Sequence, residues 1–424
     1  MIDPKLLKEN PEAVRDLLKR RQMDFPVDEL VSLDRRRREL MVQTQELKHK
    51  KNKLSEAVAA KKKAKQDAQA ELEEMKHVSS GLEKAGVELV SVEQDFTRLA
   101  MLLPNVLHES VPTGKDDKDN VVVKTAGQIG QIIQPKDHVD IGSALGLFDI
   151  ERAAKISGAR FYFLKNEMVR MNYALVQFAL EYLSEKGYSP IQPPFMIRRS
   201  PMEGAVILGD FEEVIYKIES EDLYMIGTSE HAIASMHMDE ILDGKKLPIR
   251  YAGFSPCFRK EAGAHGKDMK GIFRVHQFEK VEQFVYCRPE DSWAEHERML
   301  SITQEFLDRL EIPYRVMLLC SGDTGKVSAK TYDIEAWMPG QNAYREIVSC
   351  SNCLDYQARR LKIRFRDRTN DETRLLHTLN STLVATERTM VAIIENYQTP
   401  AGTVKVPAAL QKYMGSIEEI KPKQ

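Results

Sequence analysis

A chain of 424 residues with 42% apolar content is long enough for a large buried core and for two or three domains. No apolar run approaches the roughly 18 to 20 residues of a membrane span, and the amino terminus, MIDPKLLKENPEAVRDLLKRR, lacks a signal-type apolar stretch, so a soluble cytoplasmic protein without membrane contact is expected. Five cysteines (Cys257, Cys287, Cys320, Cys350, Cys353) are too few for a disulfide scaffold, and the CxxC of Cys350 and Cys353 lacks a second pair, so no zinc is expected.

In chain order, the first organised region runs from Val27 to Leu103. It holds no proline and only Gly81 and Gly86 among glycines, and it is rich in Leu, Ala, Lys, Glu and Gln, so helix is favoured throughout. Met75, Leu82, Leu89, Phe96 and Leu103 recur at heptad spacing, with Val78, Ala85, Val92 and Leu99 as the second row of the same seam. An earlier heptad of Leu33, Leu40, Leu47 and Leu54 has a second row, Leu30, Arg37, Thr44, Lys51 and Val58, that is only partly apolar. A narrow seam, the polar run KKKAKQDAQ and then a fuller seam predict two antiparallel helices of about 35 residues, each roughly 50 Å long.

Charge is distributed unevenly over this hairpin. From Val31 to Gln66 twelve bases (Arg35 to Arg38, Lys48, Lys50, Lys51, Lys53, Lys61 to Lys63, Lys65) face four acids, in a chain whose net charge is −2. Such a run can be the solvated face of a coiled coil. Its concentration toward the hairpin tip also suits a stiff rod that grips a phosphate backbone by counterion release and reads RNA shape rather than base edges. Pro104, in LLPNVLHESVPTGKDDKDN, ends the helical region and divides the chain into 1–110, with the arm at about 28–103, and 111–424.

Beyond that boundary, a helix-like run from Ala159 to Lys186 feeds into GYSPIQPPFM. Next, YMIGTSEHAIASMH reads as a helix start with Thr228 as cap. CFRKEAGAHGKDMKGIFRVHQFEKVEQF, from Cys257, reads as a strand, a charged Gly-rich loop and a second strand in which Phe273, Val275, Gln277 and Glu279 alternate with Arg274, His276, Phe278 and Lys280. An enzyme that attacks the α-phosphate of ATP needs fixed positive charge there. Arg259 and Arg274, on neighbouring antiparallel strands, can converge on one nucleotide, although a surface ion-pair network with Glu261 and Glu279 would use the same residues. In REIVSCSN, from Arg345, the lone Glu346 reads by itself as a solvated surface residue. Last, LLHTLNSTLVATERTMVAIIENYQ reads as a strand leading, after Thr386, into a buried helix with Arg388 at its start.

Taken together these segments resemble the three signatures of the class II aminoacyl-tRNA synthetases in their seryl form. Gly187, Tyr188, Ile191, Pro194, Phe195 and Met196 fit the first signature, which in that family makes a dimer interface. FRxE, a loop and FRxHQFxKVE fit the second, and Glu387-Arg388 the third. The third lacks the glycines that usually precede its Arg, and NSTLVATERT looks closer to the archaeal and eukaryotic branch.

The resemblance implies an α+β fold: the antiparallel coiled-coil hairpin plus a catalytic domain built on a central, mainly antiparallel sheet flanked by helices. It implies that Arg259, Arg274 and Arg388 are catalytic. ATP would be held by Arg259, Lys260, Glu261, Val275, Phe278, Glu346, Ile347, Val348, Ser349 and Arg388, with Mg2+ on Glu346 and Ser349. L-Serine would be held by Thr228, Ser229, Glu230, Arg259, Glu282 and Thr382. The implied product is seryl-tRNA(Ser), and seryl-tRNA(Sec) where that tRNA exists, made by a homodimer whose arm and Ala262–Gly271 loop meet the tRNA. Two rivals remain open: a carrier-protein ligase on the same core, which would not need the basic arm, and an inactive binding paralogue, which would not need Arg259, Arg274, Arg388 and Glu346.

Overall fold

The computed structural model describes residues 2–207, 209, 212–261 and 270–422. Two compact units divide it, Met1–Pro104 and Asn105–Gln424. In the first, α1 (Val27–Lys63) and α2 (Gln69–Ala100) form the hairpin arm. Ion pairs fix the antiparallel sense, because the second residue number falls as the first rises: Arg36–Glu88, then Lys50–Glu74 at 2.7 Å and Lys61–Glu71 at 2.5 Å. Leu30, Leu40, Thr44 and Val58 of α1 are buried, as are Val78, Ala85, Phe96 and Leu99 of α2.

The seam also contains Asp34, a charged residue only 2% exposed. It accepts from Arg37 at 3.0 Å and Arg38 at 2.9 Å, and the Arg37 guanidinium lies 4.4 Å from the centre of the Phe96 ring. The buried carboxylate is therefore paired, as the cost of burying a charge demands. Several bases of the run are thus committed within the hairpin. Lys48, Lys53, Lys62, Lys63 and Lys65 are exposed and make no ion pair among the described residues.

The second unit is built on an eight-stranded sheet. Its strands in chain order are β1 (Val121–Ala126), β2 (Ser189–Ile191), β3 (Ile249–Phe258), β4 (Gln277–Cys287), β5 (Tyr314–Leu318), β6 (Lys330–Met338), β7 (Ala343–Asn352) and β8 (His377–Ala385). They lie in the order β1-β5-β6-β7-β8-β4-β3-β2, antiparallel except for the β2–β3 pair. The main core is filled by α3 (Glu167–Glu185), α4 (Ser292–Arg309) and α5 (Thr386–Asn396). Phe178 of α3 stacks on Phe306 of α4 with ring centres 4.8 Å apart. Among the described residues no helix is long and apolar enough to cross a membrane.

Two sequence expectations need correction. The helix read from Ala159 begins at Glu167, because Asn166 has φ of 54°, a left-handed value that a helix interior does not accept, and Phe163–Leu164 already form a short strand. The strand read from Phe273 begins at Gln277, so Arg274 precedes the second strand rather than lying on it.

Candidate active site

The sheet carries two irregularities, and both adjoin the site. Along β7, Ile334 pairs with Val348 but Glu335 pairs with Glu346, so Ile347 is an extra residue. Alternation directs Ile347, Ser349 and Ser351 into a cavity of about 370 Å3, and the bulge adds Glu346 to the same lining. Along β8 the register shifts between Thr382 and Val384, next to the cavity-lining Asn380 and Thr382. Phe278, Lys280 and Glu282 alternate on one face of β4 and line it as well. Glu282 sits directly across from Thr382 on one side and Gly253 on the other. A Cβ at Gly253 would stand 2.4 Å from Ile233 and 2.8 Å from the Ser229 hydroxyl, so only glycine lets the Ser229–Ser235 helix approach this closely.

The cations come from three separate segments. Arg259 follows the last residue of β3, and its Nε donates to the Gly227 carbonyl at 3.1 Å. Its guanidinium lies 5.2 Å from the Phe278 ring centre, and its terminal nitrogens have no hydrogen-bond partner among the described residues. His231 accepts from Gly227 N–H at 3.3 Å. Burial, then the charges of Arg259 and Lys280, push His231 down to about 3, which keeps the imidazole neutral and able to accept. Arg274 pairs through Nε with Glu261, whose carbonyl accepts from Arg160 at 2.8 Å. Arg388, on the first turn of α5, reaches the Glu346 carbonyl at 2.9 Å and its carboxylate at 3.1 Å. Its guanidinium and that of Arg345 lie 5.1 and 5.8 Å from the Phe273 ring centre.

A second group is polar and buried. Thr228 caps the Ser229–Ser235 helix, accepting from Glu230 N–H at 3.2 Å, and its hydroxyl donates to Glu282. Glu230 accepts from Gln357 at 2.8 Å and Asn380 at 3.1 Å. Burial, then the neighbouring Glu282 charge, push Glu230 up to about 7. Glu387 is also pushed up to about 7 by burial. It accepts from Tyr162, from Glu279 N–H at 3.0 Å and from Thr386 at 3.0 Å, which ties the start of α5 to β4.

Of the residues expected from the sequence, Arg259, Glu261, Arg274, Val275, Phe278, Thr228, Glu230, Glu282, Glu346, Ile347, Ser349, Thr382 and Arg388 line this one cavity. Three do not. Val348 faces the core at 1% exposure, Lys260 turns its ammonium to the Glu212 carbonyl at 3.3 Å, and Ser229 is fully buried behind Glu282. The loop expected from Ala262 lies outside the described residues as far as position 269. Sequence reasoning missed Lys280, Asn380, Gln357 and Cys353. Only Lys280 had a local signal, the alternation Phe278, Lys280, Glu282.

Residues 215–397 match the tRNA synthetase class II core domain (G, H, P, S and T), and residues 1–107 match the seryl-tRNA synthetase N-terminal domain. A protein named Serine--tRNA ligase from Nitrosopumilus maritimus is 61% identical over 421 residues, covering 99% of this chain and 100% of that one. The crystal structure of seryl-tRNA synthetase from Pyrococcus horikoshii complexed with ATP superposes with a TM-score of 0.93 at 47% identity, covering 100% of both chains. A cytoplasmic serine-tRNA ligase from Naegleria fowleri in complex with AMP gives 0.89 at 36% identity, covering 100% of this chain and 99% of that one.

Proposed function

The chain belongs to the seryl-tRNA synthetases of class II, and from that membership we propose how its own residues divide the work of the reaction. It is an ATP-dependent serine–tRNA ligase. The observation that carries the assignment of roles is that one cavity collects Arg259, Arg274 and Arg388 from separate segments beside the carboxylates Glu230 and Glu282.

A serine carboxylate oxygen attacks the α-phosphorus of ATP, the bond to the β-phosphate oxygen breaks, and pyrophosphate leaves. Arg259 stabilises the charge that builds on the α-phosphate and orients the serine carboxylate. Phe278 offers its ring to adenine, with Glu261 and Val275 beside it, and Arg274 and Arg388 meet the phosphate tail. No side chain serves as a covalent nucleophile, so catalysis consists of positioning and charge stabilisation. The tRNA 3′ adenosine then takes the seryl group from the adenylate.

Glu346 and Ser349 suit Mg2+: a carboxylate and a hydroxyl line the same cavity, and hard cations prefer oxygen. With two oxygen ligands from the chain, a cation there would be completed by nucleotide phosphates and water. When bound, Mg2+ would neutralise charge on the departing pyrophosphate, and a chelator titration of pyrophosphate exchange reads its requirement.

The exposed lysines of the arm and the loop from Ala262 would contact tRNA(Ser), and tRNA(Sec) where it exists, with the charging reaction in the cytoplasm where translation takes place. Pairing of two chains through the region of the first signature is supported by exposed Phe163, Val169, Tyr173 and Met196, and a sedimentation mass of one chain would refute it.

The serine pocket tests the reading. Glu230 answers the substrate ammonium, Glu282 and Thr382 its hydroxyl. Glu282→Gln should lower kcat/KM for serine in pyrophosphate exchange by about 100-fold and reduce the preference for serine over alanine, because the lost contact is a hydrogen bond to a charged group. An unchanged preference would remove Glu282 from the hydroxyl site.

Glu230 adds a pH dependence. Its carboxyl is pushed up to about 7, and the ammonium is bound by the ionised form, which is depleted as pH falls through that value. At saturating ATP, KM for serine should therefore rise about tenfold from pH 8 to pH 6, and Glu230→Gln should flatten the profile. An identical slope in the variant would place the titration elsewhere.

A further inference from the structure

We propose that Lys280 is a specificity-determining positioning residue: with Thr228 and Ser229 it saturates one oxygen of Glu282 and reserves the other for the hydroxyl of the substrate. The inference rests on the reading of Glu282 as the hydroxyl partner and adds how that carboxylate is aimed.

All donors converge on a single atom. Glu282 Oε2 receives the Lys280 ammonium at 2.7 Å, the Ser229 hydroxyl at 3.3 Å and the Thr228 hydroxyl. Glu282 Oε1 accepts from no group among the described residues, and Glu282 lines the cavity. Lys280, Glu282, Thr228 and Ser229 are all at most 7% exposed by side chain or residue, so water does not compete freely for these groups.

The network also has a fixed direction. The Thr228 oxygen already accepts from Lys280 Nζ at 2.7 Å and from Glu230 N–H at 3.2 Å. With both acceptor positions filled, its proton has to go to Glu282. Thr228 can then neither donate to nor accept from a substrate hydroxyl. Within this network a ligand hydroxyl finds one unsaturated acceptor, Oε1, beside the Thr382 hydroxyl that lines the same cavity, and a ligand without a hydroxyl leaves that buried carboxylate oxygen unmet. This discriminates against alanine by chemistry, and threonine is left to be excluded by bulk.

Without Lys280 the Thr228 hydroxyl can rotate, and Glu282 loses the counter-charge that holds its orientation. The side-chain contacts of Lys280, Thr228 and Ser229 converge on Glu282 rather than on Phe278, Arg274 or Arg388, so the effect should separate the two substrates. The experiment is serine- and alanine-dependent pyrophosphate exchange with wild type, Lys280→Met and Glu282→Gln. For K280M we expect KM for serine to rise roughly 30-fold, kcat and KM for ATP to stay within about threefold, and the serine-to-alanine ratio of kcat/KM to fall about tenfold or more. A ratio within about threefold of wild type in K280M, with exchange reduced for both amino acids alike, would mean a structural role only and overturn the proposal. If E282Q leaves the ratio unchanged, it is the reading of Glu282 that fails. If E282Q collapses the ratio and K280M does not, only the role of Lys280 fails. Should K280M not fold, Lys280→Gln, which keeps a donor but no charge, is read by the same two quantities.

Discussion

Replacing Arg259 by alanine should lower serine-dependent pyrophosphate exchange by about a thousandfold or more, with the loss mainly in kcat. The expectation follows from how this guanidinium is held. Its Nε is committed to the Gly227 carbonyl, which fixes the plane of the group, and its two terminal nitrogens stay available as a rigid pair of donors. Gly227 is itself held by neutral His231, so the fork is set before substrate arrives and little reorganisation accompanies the chemical step. Lysine cannot reproduce that geometry, because its ammonium is a point charge on a flexible stem, and Arg259→Lys should recover little. Exchange measured at saturating ATP and serine, on protein whose folding is verified by circular dichroism, decides the matter. A loss confined to KM for ATP with kcat preserved would reduce Arg259 to a ground-state anchor.

How far these features were legible from sequence depends on how local their causes are. The arm was legible because a heptad is a short-range pattern: KKKAKQDAQ marked the tip, and the helices break between Lys63 and Gln69. Asp34 was not, since burial of a charged residue in the seam depends on Arg37 and Arg38 folding back over it and on Phe96 of the opposite helix. The conversion of several bases from free charge to internal partners escaped for the same reason. In the catalytic unit the motif arginines and carboxylates were visible as residue types at spacing, and the sheet brings them to one cavity. Gln357 and Asn380, which hold Glu230, lie 127 and 150 residues from it and carry no local sign of that task. The bulge at Ile347 was likewise hidden, because it is a property of pairing between β6 and β7 rather than of either strand. Val348 shows the converse: it sits inside a matching motif, yet strand alternation turns it into the core.

Excising Val31 to Leu99 and rejoining the chain should leave pyrophosphate exchange within about threefold of wild type while tRNA charging falls by about a thousandfold or more. The cut spares the first turn of α1 and removes nearly all of α2, together with every lysine of the tip. The residues that line the cavity all belong to the unit that begins at Asn105, so adenylate formation has no evident need of the arm. Charging does need it if Lys48, Lys53, Lys62, Lys63 and Lys65 supply the phosphate contacts, and salt gives an independent reading on the intact protein. Displacing counterions at about five phosphates makes log KM for tRNA rise with log salt at a slope of roughly 3 to 5, whereas KM for serine should barely move. A steep slope that survives Gln substitution of those lysines would assign the contacts to another surface. Loss of exchange together with charging in the excised protein would mean that the two units do not fold independently, and the arm would then be part of the catalytic body rather than an appendage to it.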